Sequence, residues 1–190
     1  MVNEKEIIRR AADGDMEAFE IIVSLYEKKI YNLTYRNLGH EQDAMDACQE
    51  VFLRVFRFLD NFKEESSFST WIYRIAMNVC KDHIKRNRFG YDISLNQENE
   101  DEEYEIEVSD IRYNPENAYE RKELSEKLES GMRQLSATHR DVLVLREVAG
   151  KSYTEISEIL SLDVGTVKSR IARARENLRK YLSNHGTFSR

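Results

Sequence analysis

The stretch SYTEISEILSLDVGTVKSRIARARENLRKY, residues 152–181, decides the fold of the C-terminal half. Ser152 is followed three residues later by Glu155, which is the capping-box pattern of a helix start. The run Ser161–Asp163 interrupts that helix, and Asp163 is a good N-cap for a second one. The second helix repeats apolar residues along one stripe: Val167, Ile171, Ala174 and Leu178. The spacing predicts a short helix, a tight turn and a longer basic helix.

The face opposite this stripe carries small and basic side chains. Ser169, Ala172 and Arg173 lie there, with Lys168 and Arg170 on its two shoulders. A narrow, Arg-bearing helix that follows a tight turn fits the major groove of duplex DNA. A pair of surface helices with a solvated basic face is the alternative interpretation of this stretch alone.

The composition favours a mostly helical protein with a real core. Among 190 residues there are only 7 Gly and 1 Pro, and 41% of the residues are hydrophobic. There is no run of about 18 apolar residues, and the charged N-terminus lacks the apolar core of a signal peptide. We therefore expect an all-α protein without stable membrane insertion, located in the cytoplasm.

The net charge of −6 is unevenly distributed. Residues 92–120 contain eleven Asp and Glu and one Arg, so the rest of the chain carries +4, and residues 163–190 alone carry +5. Because local charge decides the attraction to phosphate, the acidic total does not exclude a nucleic-acid partner.

Enzymatic chemistry is not expected. The sequence offers no nucleophile–base pair, no cluster with metal-ligand spacing and no phosphate-binding glycine loop. The two cysteines, Cys48 and Cys80, form no C-x-x-C motif and fall inside helical patterns, so they are predicted to be buried thiols. No cofactor and no metal site are predicted.

The N-terminal half is predicted to contain four helices, at about 3–12, 15–37, 40–59 and 68–87. The exposed face of the third helix is ordered, with acids toward its N-terminus and bases toward its C-terminus, which suits the helix dipole. Exposed Leu53 among these charges suggests a partner surface, whereas an ordinary solvated face is the alternative. The buried face is predicted to include Phe58.

The fourth helix is predicted to carry a polar, basic outer face that includes Thr70, Arg74, Asn78, Lys81 and Lys85. Trp71 and Tyr73 flank this face. Lysines and arginines that meet phosphates, beside rings on which bases stack, are typical of single-stranded nucleic-acid binding. From the pattern alone, aromatic residues at such positions are more often core residues than base platforms, and that is the alternative interpretation of both.

The acidic segment before the only proline breaks the helical pattern. It predicts two small helical domains joined by a flexible linker, with boundaries at 1–90, 91–115 and 116–190. Further helices are predicted over about 115–135 and, capped by Ser136, over 136–148, ahead of the 152–181 stretch.

The residues then reveal a resemblance to a known family. DAMDACQEVFLRVFRFLDNF (43–62) and FSTWIYRIAMNVCKDHIKR (68–86) resemble region 2 of bacterial sigma-70 factors. LSATHRDVLVLREVAGKSYTEISEILSLDVGTVKSRIARARENLRKYL (135–182) resembles their region 4. The direct junction of the two regions resembles the extracytoplasmic-function (ECF) group.

The resemblance implies three interfaces. The segment 46–59 matches the part that binds the β′ clamp helices of core RNA polymerase, with candidate contacts at Asp43, Asp46, Gln49, Glu50, Leu53 and Arg54. The loop and helix from residue 63 to 88 match the part that melts and reads the −10 element, with candidates Trp71, Tyr73, Arg74, Asn78, Lys81, Asp82 and Lys85. The helix-turn-helix at 153–172 matches the reader of the −35 duplex, with candidates Thr166, Lys168, Ser169, Arg170 and Arg173.

A sigma factor of this kind binds core polymerase, including its β flap, and directs initiation at a subset of promoters. The resemblance also implies an envelope or environmental stress response and control by an anti-sigma factor. Two alternatives remain at this point. A free-standing dimeric helix-turn-helix regulator explains only the C-terminal half, and an interaction module that merely keeps the fold does not require the basic residues.

Overall fold

The computed structural model describes residues 4–91 and 115–184, and the side chains of residues 4–87 and 123–184. Within these ranges the chain forms helices and no strand, which confirms the all-α prediction. The helices are α1 (Glu4–Ala12), α2 (Met16–Leu38), α3 (Glu41–Phe58), α4 (Phe68–Tyr91), α5 (Pro115–Gln134), α6 (Ala137–Leu143), α7 (Tyr153–Leu160) and α8 (Val164–Asn184). A 3₁₀ turn (Leu59–Asn61) extends α3 and a π turn (Val144–Val148) extends α6.

Several helix ends lie where the local sequence predicts them. The Asp15 side chain accepts a hydrogen bond from the backbone N–H of Ala18 at the start of α2. Gly39 ends that helix at φ +75°, a conformation that glycine adopts without a Cβ penalty. Ser67 accepts from the N–H of Thr70 at the start of α4. These bonds fix where the chain turns between the helices.

Two predictions about the helix ending at residue 148 need correction. Ser136 precedes α6, but its side chain makes no capping hydrogen bond. The helix also does not continue as α-helix to Val148, because its last turn widens and the N–H of Ala149 bonds to the carbonyl of Val144.

The N-terminal core lies between α2, α3 and α4, with α1 packed against α2. The C-terminal core lies between α6, α7 and α8, and α5 packs against α8. The largest fully buried side chains are apolar and come from both halves, including Ile22, Ile30, Leu33, Ile72, Leu145, Ile156 and Ile171. Both thiols are buried, as predicted, and burial raises the pKa of Cys48 to about 11 and of Cys80 to about 12.

The two halves contact each other. Helix α4 packs against α7, and α2 packs against α6 and the π turn, so that a single cluster of buried apolar side chains runs through both halves. Residues 92–114, which make up nearly all of the predicted linker, lie outside the described residues, and the domain boundaries stay a prediction. None of the helices in the described ranges has both the length and the apolar character required to cross a membrane.

The predicted burial of two side chains is wrong: Phe58 was expected to be buried and Thr70 to be exposed. Phe58 is 47% exposed, because its backbone leaves the α-helical region (φ −116°, ψ 8°) where α3 passes into the 3₁₀ turn. Thr70 is 1% exposed, because its hydroxyl lies in the first turn of α4 at 2.9 Å from the Ser67 hydroxyl.

Candidate polymerase and nucleic-acid interfaces

The exposed face of α3 combines charge with apolar surface. Asp46 and Gln49 are exposed, and Leu53 is 61% exposed. Met45 and Phe56 add exposed apolar area that the sequence interpretation missed, although both recur at helical spacing with Gln49. A face of this mixed composition is typical of the hydrophobic centre and polar rim of a protein–protein interface.

Part of the predicted polymerase surface is engaged within the molecule. Arg54 Nε donates to Glu50 at 2.7 Å, and its Nη1 donates to Asp82 of α4 at 3.2 Å. Asp43 accepts from Asn87 of α4 at 3.2 Å. These bonds tie α3 to α4, so the structure brings together Arg54 and Asp82, which the sequence assigned to two different interfaces.

The outer face of α4 is only partly as predicted. Asn78, Lys81 and Lys85 are exposed along one side of the helix. Trp71 is half-buried, with its ring centroid 5.3 Å from that of Phe62 and 5.7 Å from that of Phe68. The exposed part of the helix thus presents two lysines and an amide toward solvent, and the tryptophan stands on an aromatic cluster at its start.

Tyr73 and Arg74 are not freely accessible in this structure. Tyr73 is 3% exposed, and the ammonium of Lys151, which precedes α7, lies 4.8 Å from the centre of its ring. Arg74 is half-buried, and its Nη2 donates to the backbone carbonyl of Glu158 in α7 at 3.1 Å. Their assignment to −10 DNA stays a prediction, and it requires α7 to move away.

The helix-turn-helix has the local geometry that the sequence predicts. The capping box is present, since Glu155 N–H donates to the Ser152 hydroxyl at 3.2 Å and Ser152 N–H donates to the Glu155 carboxylate at 2.9 Å. Ser161 closes α7 in the left-handed region, at φ 54°. The Ser157 hydroxyl donates to the carbonyl of Leu162 across the turn. These bonds set the angle at which α8 leaves α7.

Helix α8 presents the predicted reading face to solvent. Lys168, Ser169, Ala172 and Arg173 are exposed, whereas Thr166 and Arg170 are half-buried. The apolar stripe on the other side is buried at Val167, Ile171 and Ala174. Further along the helix, Arg175 pairs with Glu147 at 2.5 Å, and the exposed Arg179 and Lys180 both pair with Glu176.

Two sequence regions match family models. Residues 22–89 match sigma-70 region 2, and residues 125–178 match sigma-70 region 4. The chain is 40% identical over 181 residues to the ECF RNA polymerase sigma factor SigW of Bacillus subtilis, covering 94% of this chain and 96% of the relative. The chain belongs to the ECF group of the sigma-70 family. This confirms the resemblance that the motifs at 43–86 and 135–182 carry.

Two other relatives are similar in sequence along nearly the whole of this ECF chain. The RNA polymerase sigma-H factor of Pseudomonas aeruginosa is 38% identical over 181 residues, covering 94% of this chain and 93% of the relative. The ECF RNA polymerase sigma-E factor of Escherichia coli is 35% identical over 180 residues, covering 92% of each chain. Because the matches span both halves, region 2 and region 4 occur together in these relatives as they do here.

Two solved structures share the fold of this ECF chain. One is CnrH in complex with the cytosolic domain of CnrY, with a TM-score of 0.68, 24% identity, and 95% of this chain and 97% of the other covered. The second is the sigma factor RpoE in complex with the anti-sigma factor NepR from Bartonella quintana, with a TM-score of 0.69 and 20% identity, covering 87% of this chain and 96% of the other.

Proposed function

We propose that this ECF sigma factor binds core RNA polymerase through the exposed face of α3 and directs it to a subset of promoters. Asp46, Gln49 and Leu53 are the contacts to the β′ clamp helices that α3 offers directly to solvent. Charged groups at the rim steer the encounter, and the exposed leucine supplies apolar area at the centre. Region 4 is the part that meets the β flap.

In the same proposal, two different helices bind the two promoter elements. Helix α8 reads the −35 duplex through Arg173 and the smaller groups beside it, because an arginine fork recognises guanine in the major groove. Helix α4 holds the melted −10 strand, with Lys81 and Lys85 meeting phosphates. Two separate exposed faces, a mixed apolar and charged face on α3 and a basic face on α8, are the observation that carries this proposal.

No catalytic chemistry and no cofactor belong to the proposal. Binding free energy drives the placement of polymerase and the opening of the −10 region, and the site of action is the cytoplasm. An anti-sigma factor is the proposed regulator, in an envelope or environmental stress response. The RpoE–NepR complex is an example of such a partner on a chain of this fold.

Run-off transcription tests the proposal. Core polymerase is incubated with a genomic fragment library, with and without the full chain, and the transcripts are sequenced. We expect a limited set of new start sites that share two short elements upstream. A set of palindromic footprints by the chain alone, with no transcript that depends on core polymerase, would instead identify a free-standing helix-turn-helix regulator.

A further inference from the structure

Helix α1 lies beside the connection between α3 and α4. It precedes the residues that match region 2, which begin at residue 22, so that match gives the helix no role. It packs against α2 and against the 3₁₀ turn that follows α3. Its buried residues are Ile7, Ile8 and Ala11. The helix is therefore next to the loop at 62–67, which the resemblance assigns to the −10 element.

One hydrogen bond joins the start of α1 to the N-terminal core. The hydroxyl of Tyr26 in α2 donates to the carboxylate of Glu4 at 2.7 Å. Tyr26 is 5% exposed, whereas Glu4 is exposed. Burial and this hydrogen bond both raise the pKa of Tyr26, so the hydroxyl keeps its proton and stays a donor. A bond to an ionised acceptor is stronger than a neutral one, and here it fixes α1 to a core ring.

The aromatic cluster at the start of α4 continues to Tyr26. The Tyr26 ring lies edge-on to Phe68, with the two centroids 5.4 Å apart. Phe68 in turn lies 5.6 Å from Phe62 and 5.7 Å from Trp71. Edge-to-face and tilted pairs of this kind stabilise a fixed arrangement beyond the area that they bury. The position of Tyr26 is therefore passed through Phe68 to both ends of the loop and to Trp71.

The loop itself contains a residue in a strained conformation. Glu64 has φ +56°, in the left-handed region that residues with a Cβ seldom adopt, so the surroundings must hold it there. The ammonium of Lys5 in α1 lies 3.8 Å from its carboxylate. Both side chains are exposed, and such a pair contributes little free energy by itself. The buried hydroxyl of Tyr26 is therefore the stronger tie between α1 and this part of the chain.

We propose that α1 is a positioning element for the −10 surface. Through Glu4 and Tyr26 it holds Phe68 and Trp71 in place at the entry to α4, so that an unpaired strand meets a pre-arranged ring. Glu4 and Tyr26 are positioning residues, since they act through the cluster rather than on DNA. The support of the cluster is a property of the chain, whereas its consequence for promoter opening rests on the proposed function.

Trp71 is the only tryptophan of the chain, so its fluorescence reports on the cluster without DNA or polymerase. Tyr26→Phe keeps the ring and removes the hydroxyl, and Glu4→Ala removes the acceptor. We expect acrylamide to quench Trp71 about 1.5-fold or more strongly in both variants, because the loosened cluster opens more often to solvent. Glu4→Gln keeps an acceptor oxygen and is expected to restore the original quenching. Glu6→Ala, at an exposed acid in the same turn, is the matched control and is expected to change nothing.

Circular dichroism shows whether each variant keeps its helices. If Glu4→Ala lowers the helical content, Tyr26→Phe decides, because that substitution leaves the sequence of α1 untouched. Unchanged quenching of Trp71 in a variant with full helical content would overturn the support by α1. An equal rise in quenching for Glu6→Ala would overturn the assignment to the Glu4–Tyr26 bond.

Holoenzymes assembled from core polymerase and each variant test the consequence on a promoter found by run-off transcription. We expect Tyr26→Phe and Glu4→Ala to reduce open-complex formation about three- to tenfold, the range of one lost hydrogen bond, as measured by permanganate reactivity of unpaired thymines. Binding to a labelled −35 duplex is expected to stay unchanged, whereas a general loss of structure would lower both steps alike. Glu4→Gln is expected to restore open-complex formation.

The two measurements separate this proposal from the proposed function. Stronger quenching of Trp71 with unchanged open-complex formation would refute the role of α1 in promoter opening. Absence of any transcript that depends on core polymerase, already with the unchanged chain, would refute the proposed function. The quenching of Trp71 would even then decide whether Glu4 and Tyr26 hold the cluster.

Discussion

At the scale of single residues, Asp141 is the most deeply buried carboxylate among the side chains that the structure describes. It lies buried in α6, and burial raises its pKa to about 6, although Lys81, Arg140 and Arg170 act in the opposite direction. A carboxyl whose pKa is higher in the folded chain than in the unfolded chain favours folding only while it is protonated. Its ionisation therefore costs stability increasingly between about pH 4 and pH 6, and fully above that range.

Asp141→Asn removes this cost and keeps the shape of the side chain. We expect the variant to gain on the order of 1–3 kcal/mol in the free energy of unfolding at pH 7.5, and to lose most of that gain at pH 4. Urea unfolding followed by circular dichroism at the two pH values measures it. Asp13→Asn, at an exposed carboxylate, is the control and is expected to change little at either pH. Equal gains at both pH values would show that titration of Asp141 is not the cause.

At the scale of the helix, α3 carries exposed side chains that can be substituted without disturbing the core. Asp46→Arg with Leu53→Asp reverses the charge and removes the exposed apolar centre, and both positions point to solvent. We expect the affinity for core RNA polymerase to fall at least about tenfold, while the free energy of unfolding changes by about 0.5 kcal/mol or less at each position.

A pull-down with core polymerase at several chain concentrations, beside thermal unfolding, measures both quantities for α3. Glu50 is left in place, because its bond to Arg54 helps to join α3 to α4. Asp13→Arg, an exposed charge reversal on the turn between α1 and α2, is the matched control. Unchanged polymerase binding by the double variant would remove α3 as the docking face.

The helices also show why sequence interpretation succeeds in some places and fails in others. The start of α7 was predictable, because Ser152 and Glu155 satisfy each other's backbone groups within one turn. The burial of Lys151 was not, because its partner Ser69 lies 82 residues away and a lysine after Gly150 reads as an exposed loop residue. The same limit applies to Tyr73, whose covering ammonium comes from the other half. Local patterns predict helices and faces, whereas tertiary contacts decide which parts of a face stay open.

At the scale of the whole molecule, the proposed function separates duplex reading from strand opening. Arg173 stands on the exposed face of α8, and Lys81 and Lys85 stand on the open part of α4. Because the two faces lie in different halves of the chain, a loss in one is expected to leave the other step intact.

A paired experiment with the holoenzyme on a promoter found by run-off transcription tests this separation. We expect Arg173→Ala to cost about 1–3 kcal/mol in binding to the −35 duplex, because a lost arginine–base contact weakens recognition at one base pair. Lys81→Ala with Lys85→Ala is expected to spare duplex binding and to reduce open-complex formation, measured by permanganate reactivity of unpaired thymines. A heteroduplex promoter with a premelted −10 region separates loss of strand opening from loss of strand binding, since only the latter persists on that template. Equal losses from both variants in both steps would mean that the two halves act as one binding surface, and would contradict the division of labour between α8 and α4.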